Sequence, residues 1–157
     1  MFILLKNEKG VTLIELLTSI VILSIILLSF MTFFTNSFQY NAISSDKMKA
    51  TNIAREVQED FKVNADKNLE LKNLITFSKT SIGTTIPKAS YPKLNLTEDI
   101  TKSSEVLTLK LMSQNFHVEV LVDTKSDPNL HSSLAKIHVK VKKGTKIVSE
   151  AFTYFEN

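Results

Sequence analysis

Cysteine is absent from the 157-residue chain, which excludes disulfide bonds, thiol catalysis, lipid attachment at a cysteine and cysteine-based zinc sites. The chain has only three glycines and three prolines, and none of either lies between Val11 and Ile82. Both residues destabilise helix interiors, so this part of the chain is free to form one long helix. The net charge is only +3, which gives no reason to class the whole chain as a nucleic-acid-binding protein.

Charge is also absent from a long stretch near the N-terminus, Leu16–Ser45. Within it, Leu16–Phe34 consists almost entirely of Leu, Ile, Val, Phe and Met, and about 20 such residues suffice for a helix to cross a bilayer. Lys6 and Lys9 precede the run, so the positive-inside rule predicts a cytoplasmic N-terminus and an external C-terminal region. A cleaved secretory signal fits poorly, because its apolar core spans only about 7–15 residues and ends in a small-x-small site.

One carboxylate, Glu15, stands at the start of this apolar run. A charge at the centre of a membrane helix costs about 2.5–3.5 kcal/mol on insertion scales. A plain membrane anchor is an alternative for the segment, but it leaves Glu15 unexplained. The sequence therefore predicts that the segment does more than anchor the chain.

The N-terminal motif supplies an explanation. A short leader containing lysines ends in Gly10, V-T-L-I-E follows with Glu15 five residues after the glycine, and the apolar run comes next. From Lys9 to about Phe34 the chain resembles the type IV prepilin signature, which type IV pilins, type II secretion pseudopilins and competence pseudopilins share. The resemblance implies cleavage after Gly10 by a membrane-embedded prepilin peptidase and N-methylation of the new first residue, Val11.

Two residues depart from the common pattern of this family. Val11 stands where phenylalanine is commonest, and Thr32 stands where many major pilins carry a helix-kinking proline. The second departure predicts a straighter helix than theirs.

The chain is predicted to divide into five parts. Residues 1–10 are the leader, 11–35 a transmembrane helix that becomes the filament core, and 36–63 an amphipathic continuation of that helix. Apolar residues at three- and four-residue steps define its buried stripe, namely Ala50, Ile53, Ala54, Val57 and Phe61. Residues 64–104 form an irregular connecting region, with a short strand or helical turn at 71–77, and 105–157 an antiparallel β-sheet. Two helices with a bend at 36–45 are the alternative to one continuous helix.

Alternating apolar residues predict four strands at 106–112, 116–123, 135–142 and 147–155, with a tight turn at 143–145. The polar face of this sheet faces solvent and the other face needs a covering helix, which the amphipathic part of the N-terminal helix supplies. The predicted fold class is α+β: a long N-terminal helix, transmembrane in its first half, packed on a small antiparallel sheet of about four strands, as in pilins.

The sequence gives no enzyme motif of the zinc-protease, P-loop or serine-hydrolase kinds, and we predict no catalytic residue, cofactor or metal site. His117, His131 and His138 are predicted to be surface histidines. Asp123, Asp127 and Asn129 offer oxygen atoms but lack the EF-hand spacing, so loop hydrogen bonding explains them better.

Five lysines lie close together near the C-terminus without an intervening acid: Lys136, Lys140, Lys142, Lys143 and Lys146. Strand alternation places Lys136, Lys140 and Lys142 on the face of His138. The simpler interpretation is a solvated face that discourages aggregation. The functional alternative is a contact with DNA phosphates or with an acidic neighbouring subunit.

Together these features predict a structural subunit, a minor pilin or pseudopilin, and not an enzyme. The resemblance implies a prepilin peptidase, other pilin subunits, an assembly platform protein and an assembly ATPase as partners. Before assembly the chain is predicted to be a single-pass protein of the cytoplasmic membrane, and afterwards part of an extracellular filament in which Glu15 pairs with the Val11 amine of a neighbour. The alternatives are a DNA-binding pseudopilin for DNA uptake and a plain membrane-anchored binding domain.

Overall fold

The structure, a computed structural model, describes residues 11–80, 83–125 and 134–156. These residues form two α-helices, two short 3-10 turns at Lys88–Ser90 and Pro92–Leu94, and six β-strands. The helices are α1 (Leu13–Val63) and α2 (Ala65–Thr80). The strands are β1 (Thr85–Ile86), β2 (Ile100–Ser103), β3 (Val106–Ser113), β4 (Phe116–Asp123), β5 (Leu134–Lys143) and β6 (Lys146–Glu156). The chain divides into two compact units, the first ending at Ile43 and the second beginning at Ser44.

The first unit contains the apolar part of α1, whose large side chains are exposed on all sides of the helix. The helix continues without interruption to Val63, which confirms the predicted single long helix. An all-round apolar helix is stable only when it is buried in other protein or in a bilayer. No proline or glycine interrupts it, in accordance with the composition of the segment.

The second unit contains a six-stranded sheet in the order β1-β2-β3-β4-β5-β6, with every neighbouring pair antiparallel. Two-residue turns join β2 to β3, β3 to β4 and β5 to β6. Their first residues, Ser104, Gln114 and Gly144, have positive φ angles of 57°, 54° and 61°. This conformation suits glycine and strains other residues, so only the last of these turns has the residue that the geometry favours.

The core lies between one face of the sheet and the two helices. Ile53 and Phe61 of α1 are almost fully buried, and Val57 packs against them at the margin of the core, as the sequence predicts. The sheet contributes alternate residues of its strands: Leu107, Leu109, Val118, Val120, Val122, Ile137, Val139 and Val141. The long N-terminal helix packed on an antiparallel sheet confirms the predicted α+β class.

Two features of the second unit correct the sequence prediction. The sheet has six strands rather than about four, because β1 and β2 add a short edge beside β3. Residues 64–104, predicted to be irregular, contain the helix α2. Asn64 caps this helix, since its Oδ1 accepts hydrogen bonds from the backbone N–H groups of Asp66 (3.2 Å) and Lys67 (3.3 Å). Its buried residues Leu71, Leu74, Ile75 and Ser78 have the three- and four-residue spacing of an amphipathic helix.

Candidate functional site

The start of α1 is the first candidate site, and Thr12 defines it. The carbonyl oxygen of Thr12 accepts hydrogen bonds from the backbone N–H groups of Glu15 (3.0 Å) and Leu16 (3.1 Å). Its hydroxyl Oγ1 also lies 3.4 Å from the backbone nitrogen of Glu15. Thr12 is therefore the N-cap of α1, and Val11 precedes the helix. The T-L-I-E sequence has the spacing of a capping box, a local sequence signal for the start of this helix.

Glu15 occupies the first turn of α1, where a carboxylate interacts favourably with the positive end of the helix dipole. Within the described part of the chain, its side chain has no ion-pair partner. The cleavage residue Gly10 lies outside the described residues. The roles predicted for Gly10, Val11 and Glu15 therefore stay predictions. Val11 lies just before the first helical turn.

The hydroxyl groups within the apolar run all bond back to the helix that carries them. Ser19 donates to the carbonyl oxygen of Glu15 (2.8 Å), Ser24 to that of Ile20 (2.7 Å) and Ser29 to that of Ile25 (2.9 Å). Thr18, Thr32 and Thr35 bond in the same way four residues back. Polar hydrogens are costly in hydrocarbon when they lack an acceptor. These bonds make the run compatible with a bilayer despite its Ser and Thr content.

α1 is the one helix among the described residues that is long and apolar enough to cross a membrane, by length and composition. Its apolar window contains no residue buried inside the structure. This agrees with the predicted membrane segment and distinguishes it from a buried helix of a soluble core.

The second candidate site is the lysine cluster on the outer face of the sheet. Lys136, Lys140 and Lys142 alternate with the buried Ile137, Val139 and Val141 on β5, as predicted. The fold, however, brings carboxylates to this cluster that are distant in sequence. Lys142 Nζ lies 2.5 Å from Glu119 Oε2 on β4, and Lys143 Nζ lies 2.7 Å from Asp46 Oδ2 on α1.

Lys140 is also flanked by acids, since it pairs in register with Glu119 on β4 and with Glu150 on β6. The Nζ of Lys136 lies 5.3 Å from the ring centroid of Phe152, a cation–π distance. Lys146 pairs with Lys143 across the β5–β6 turn. The cluster is therefore a face of alternating charge, which weakens the argument for a contact with DNA phosphates; that contact stays a prediction.

The alternating charges continue onto β3. Lys110 Nζ lies 2.6 Å from Glu98 Oε2 and pairs in register with Glu119. The hydrogen bond to Glu98 and the negative charge of Glu98 raise the pKa of Lys110; desolvation opposes them, and the charge of Glu119 makes the least contribution to the rise. Elsewhere, burial raises the pKa of Tyr91, and the charge of Glu70 adds to that effect. Lys110, Glu98 and Glu119 thus extend the alternating charges of this face.

The remaining polar candidates that the structure describes are His117, His138 and Asp123. His117 is exposed on β4, and His138 on β5 lies 3.2 Å from Glu150 Oε2 through its Nε2 atom. Asp123 Oδ1 accepts a hydrogen bond from the backbone N–H of Lys125 (3.0 Å), the Asx-turn predicted for this loop. His131, Asp127 and Asn129 lie outside the described residues. Across the described residues, no group of His, Asp or Glu side chains could hold a metal ion.

Comparison with known families identifies the N-terminal segment. Residues 5–31 match the family model of the prokaryotic N-terminal methylation motif, the class III signal peptide of type IV pilins and pseudopilins. The match covers residues 5–10 of the leader, Val11, Glu15 and most of the apolar run. Neither the comparison with curated proteins nor that with solved structures found a match.

Proposed function

We propose that this chain, which carries the class III signal peptide of type IV pilins and pseudopilins, is a minor structural subunit of a type IV pilus or pseudopilus. The observation that carries the proposal is the methylation motif placed directly on a long apolar helix. A plain anchor needs the helix but neither the motif nor Glu15. The chain has no enzymatic role in this account.

Processing is the first step of the proposed function. A prepilin peptidase cleaves between Gly10 and Val11, and the new amine of Val11 is methylated. Proteases bind their substrates in extended form, and a peptide bond inside a helix is protected. The N-cap at Thr12 supports the proposal because the helix begins after it. Val11, which forms one side of the scissile bond, therefore lies outside the helix.

Assembly is the second step, in which the apolar part of α1 passes from the bilayer into the core of a helical filament. The assembly platform and its ATPase drive this transfer. Glu15 of one subunit then meets the Val11 amine of the next. Opposite charges about 4 Å apart attract by about 4 kcal/mol at an effective dielectric constant near 20. Apolar helices slide easily past one another, so this one polar pair sets their register.

Filament incorporation tests the proposal. Filaments sheared from the cell surface are probed for the chain, and its amount is compared with the pool left in the cytoplasmic membrane. The proposal predicts recovery with the sheared filaments in cells that have the peptidase, and retention in the membrane in cells that lack it. If the chain stayed in the membrane to the same extent in both strains, the proposal would be wrong and a plain membrane-anchored binding domain would be the remaining interpretation.

A further inference from the structure

The stretch of α1 that lacks charge is long enough for a whole bilayer. Leu16–Ser45 contains no charged residue and is about 45 Å long as an α-helix. A bilayer measures about 40–45 Å when its headgroup regions are included. Asp46 and Lys47 are the first charged residues after this stretch. They therefore reach the membrane surface when the stretch spans the bilayer.

The second unit begins at this point of the chain, at Ser44. The ion pair between Asp46 Oδ2 and Lys143 Nζ, 2.7 Å apart, holds the end of β5 close to it. The hydroxyl oxygens of Thr51 and Ser149, 3.1 Å apart, add a contact between α1 and β6. The turn between β5 and β6 consequently lies at the end of the second unit from which the chain continues into the membrane segment.

Three lysines at this end have no acidic partner within the described part of the chain. Lys47, Lys49 and Lys146 are exposed, and none of them forms an ion pair there. Asp46 and Glu119 lie nearby, but each is engaged by another lysine and so does not neutralise these three. This end of the second unit therefore carries an excess of positive charge.

Two exposed apolar side chains accompany these lysines. Met48, between Lys47 and Lys49, is 65% exposed, and Ile147, next to Lys146, is 42% exposed. Lysines beside exposed apolar side chains suit a lipid surface, because the ammonium groups bind phosphates while the apolar groups enter the headgroup region. We call these five residues the basic end of the second unit.

Position and charge together favour anionic phospholipids as the partner of the basic end. Chain connectivity alone keeps the basic end near the membrane surface, so lipid phosphates are present there at a high effective concentration. Duplex DNA would be bound through its phosphates and would leave Met48 and Ile147 exposed. A lipid surface uses both the lysines and the apolar side chains.

We propose that the basic end binds the anionic phospholipid headgroups of the membrane in which α1 is anchored. Each lysine near an anionic membrane surface strengthens such a contact about fivefold. The contact limits the orientations of the second unit on the membrane surface. It depends on the anchoring of the chain in a membrane and not on the filament role, so either can fail without the other.

The test uses the full-length protein in nanodiscs of phosphatidylcholine, either alone or mixed with phosphatidylglycerol, with a nitroxide quencher on some of the headgroups. The cysteine-free chain accepts a fluorophore at Thr145→Cys, in the turn between β5 and β6. Ser104→Cys is the control, because its turn lies at the opposite end of strands about 26 Å long. Phosphatidylglycerol is expected to increase quenching at position 145 and not at position 104. High salt is expected to remove the increase.

Substitutions identify the groups that bind the lipid. Replacing Lys47, Lys49 and Lys146 together by glutamine should remove nearly all of the quenching that depends on phosphatidylglycerol, because each lysine contributes about fivefold. The matched control replaces three exposed lysines elsewhere in the second unit, namely Lys62, Lys79 and Lys125. Lys62, for example, lies about 23 Å further along α1 than Lys47, well beyond the Debye length of about 8 Å. The control variant should keep the full response.

Equal quenching at position 145 in neutral and anionic nanodiscs would overturn the proposal, and so would an equal loss of the response in both lysine variants. A response of the fluorophore to added duplex DNA, without a response to phosphatidylglycerol, would assign the basic end to DNA instead. Failure of the filament role would appear as an uncleaved N-terminus in the native protein, a result on which the nanodisc measurements do not depend.

Discussion

Lys143 on β5 and Asp46 on α1, 97 residues apart in sequence, form an ion pair with Nζ and Oδ2 separated by 2.7 Å. Beside it, the hydroxyl oxygens of Thr51 and Ser149 lie 3.1 Å apart. These contacts join α1, near the start of the second unit, to β5 and β6. They also show that a lysine predicted to be available for a partner is engaged within the chain.

Because both side chains of this ion pair are partly exposed, Lys143→Met should lower the free energy of unfolding by only about 0.2–1 kcal/mol. Chemical denaturation of a fragment beginning at Ser44 measures the effect, and high salt should abolish it. Lys146→Met serves as the control, because Lys146 has no ion pair among the described residues. A double-mutant cycle with Asp46→Asn that gives strictly additive effects would contradict the pair.

Phe61 is the largest side chain fully buried between the helices and the sheet. Phe61→Ala should cost about 3–5 kcal/mol, which corresponds to a fall in the melting temperature of more than about 10 °C. The matched control is Phe152→Ala on the exposed face, which should cost far less. If Phe61→Ala lowered the melting temperature by only about a degree, Phe61 would not be packed between α1 and the sheet as described.

Alkaline pH should destabilise the second unit. Burial and Glu70 raise the pKa of Tyr91 above its ordinary value of 10.0, and Glu98 raises that of Lys110 above 10.5. Both groups thus hold their protons more tightly when folded, so their contribution is complete below pH 10 and is lost as the pH rises through the folded pKa values. Denaturation at about pH 9 and about pH 11 measures this loss. Tyr91→Phe should make the loss smaller, and an unchanged slope would remove Tyr91 from the explanation.

Glu15→Ala tests whether Glu15 sets the register between the apolar helices of neighbouring subunits. The variant should be made, inserted and cleaved normally, because removing a charge from the membrane segment does not oppose insertion. It should nevertheless enter filaments poorly, since the Val11 amine of its neighbour would lose its partner. The ratio of sheared to membrane-bound subunit measures this. Incorporation at the level of the unmodified chain would leave Glu15 without a role in assembly.

Much of this fold is encoded locally and can be predicted from the sequence. The motif around Gly10 and Glu15, the unbroken helix and the inward residues of β3 to β6 all follow from short-range patterns. The helix α2 was missed because Asn, Thr and Ser weaken helix propensity around Leu71, Leu74 and Ile75, and packing against the sheet supplies the missing stability.

The outer face of the sheet could not be predicted, because its chemistry depends on pairing between distant segments. Five lysines without an acid among them form a basic cluster in sequence. Strand register then places Glu119 beside Lys142, 23 residues away, and brings Phe152 under Lys136. No local pattern contains that information, since a shift of one residue would reverse every side chain.

The N-terminus of the native protein tests the central claim most directly. Mass spectrometry of the chain purified from its own membranes should find a mature protein that begins at Val11 and carries an N-methyl group. Gly10→Val should leave the leader attached, because a branched side chain at that position obstructs the peptidase. A native chain that keeps residues 1–10, or a Gly10→Val variant that still begins at Val11, would contradict the account.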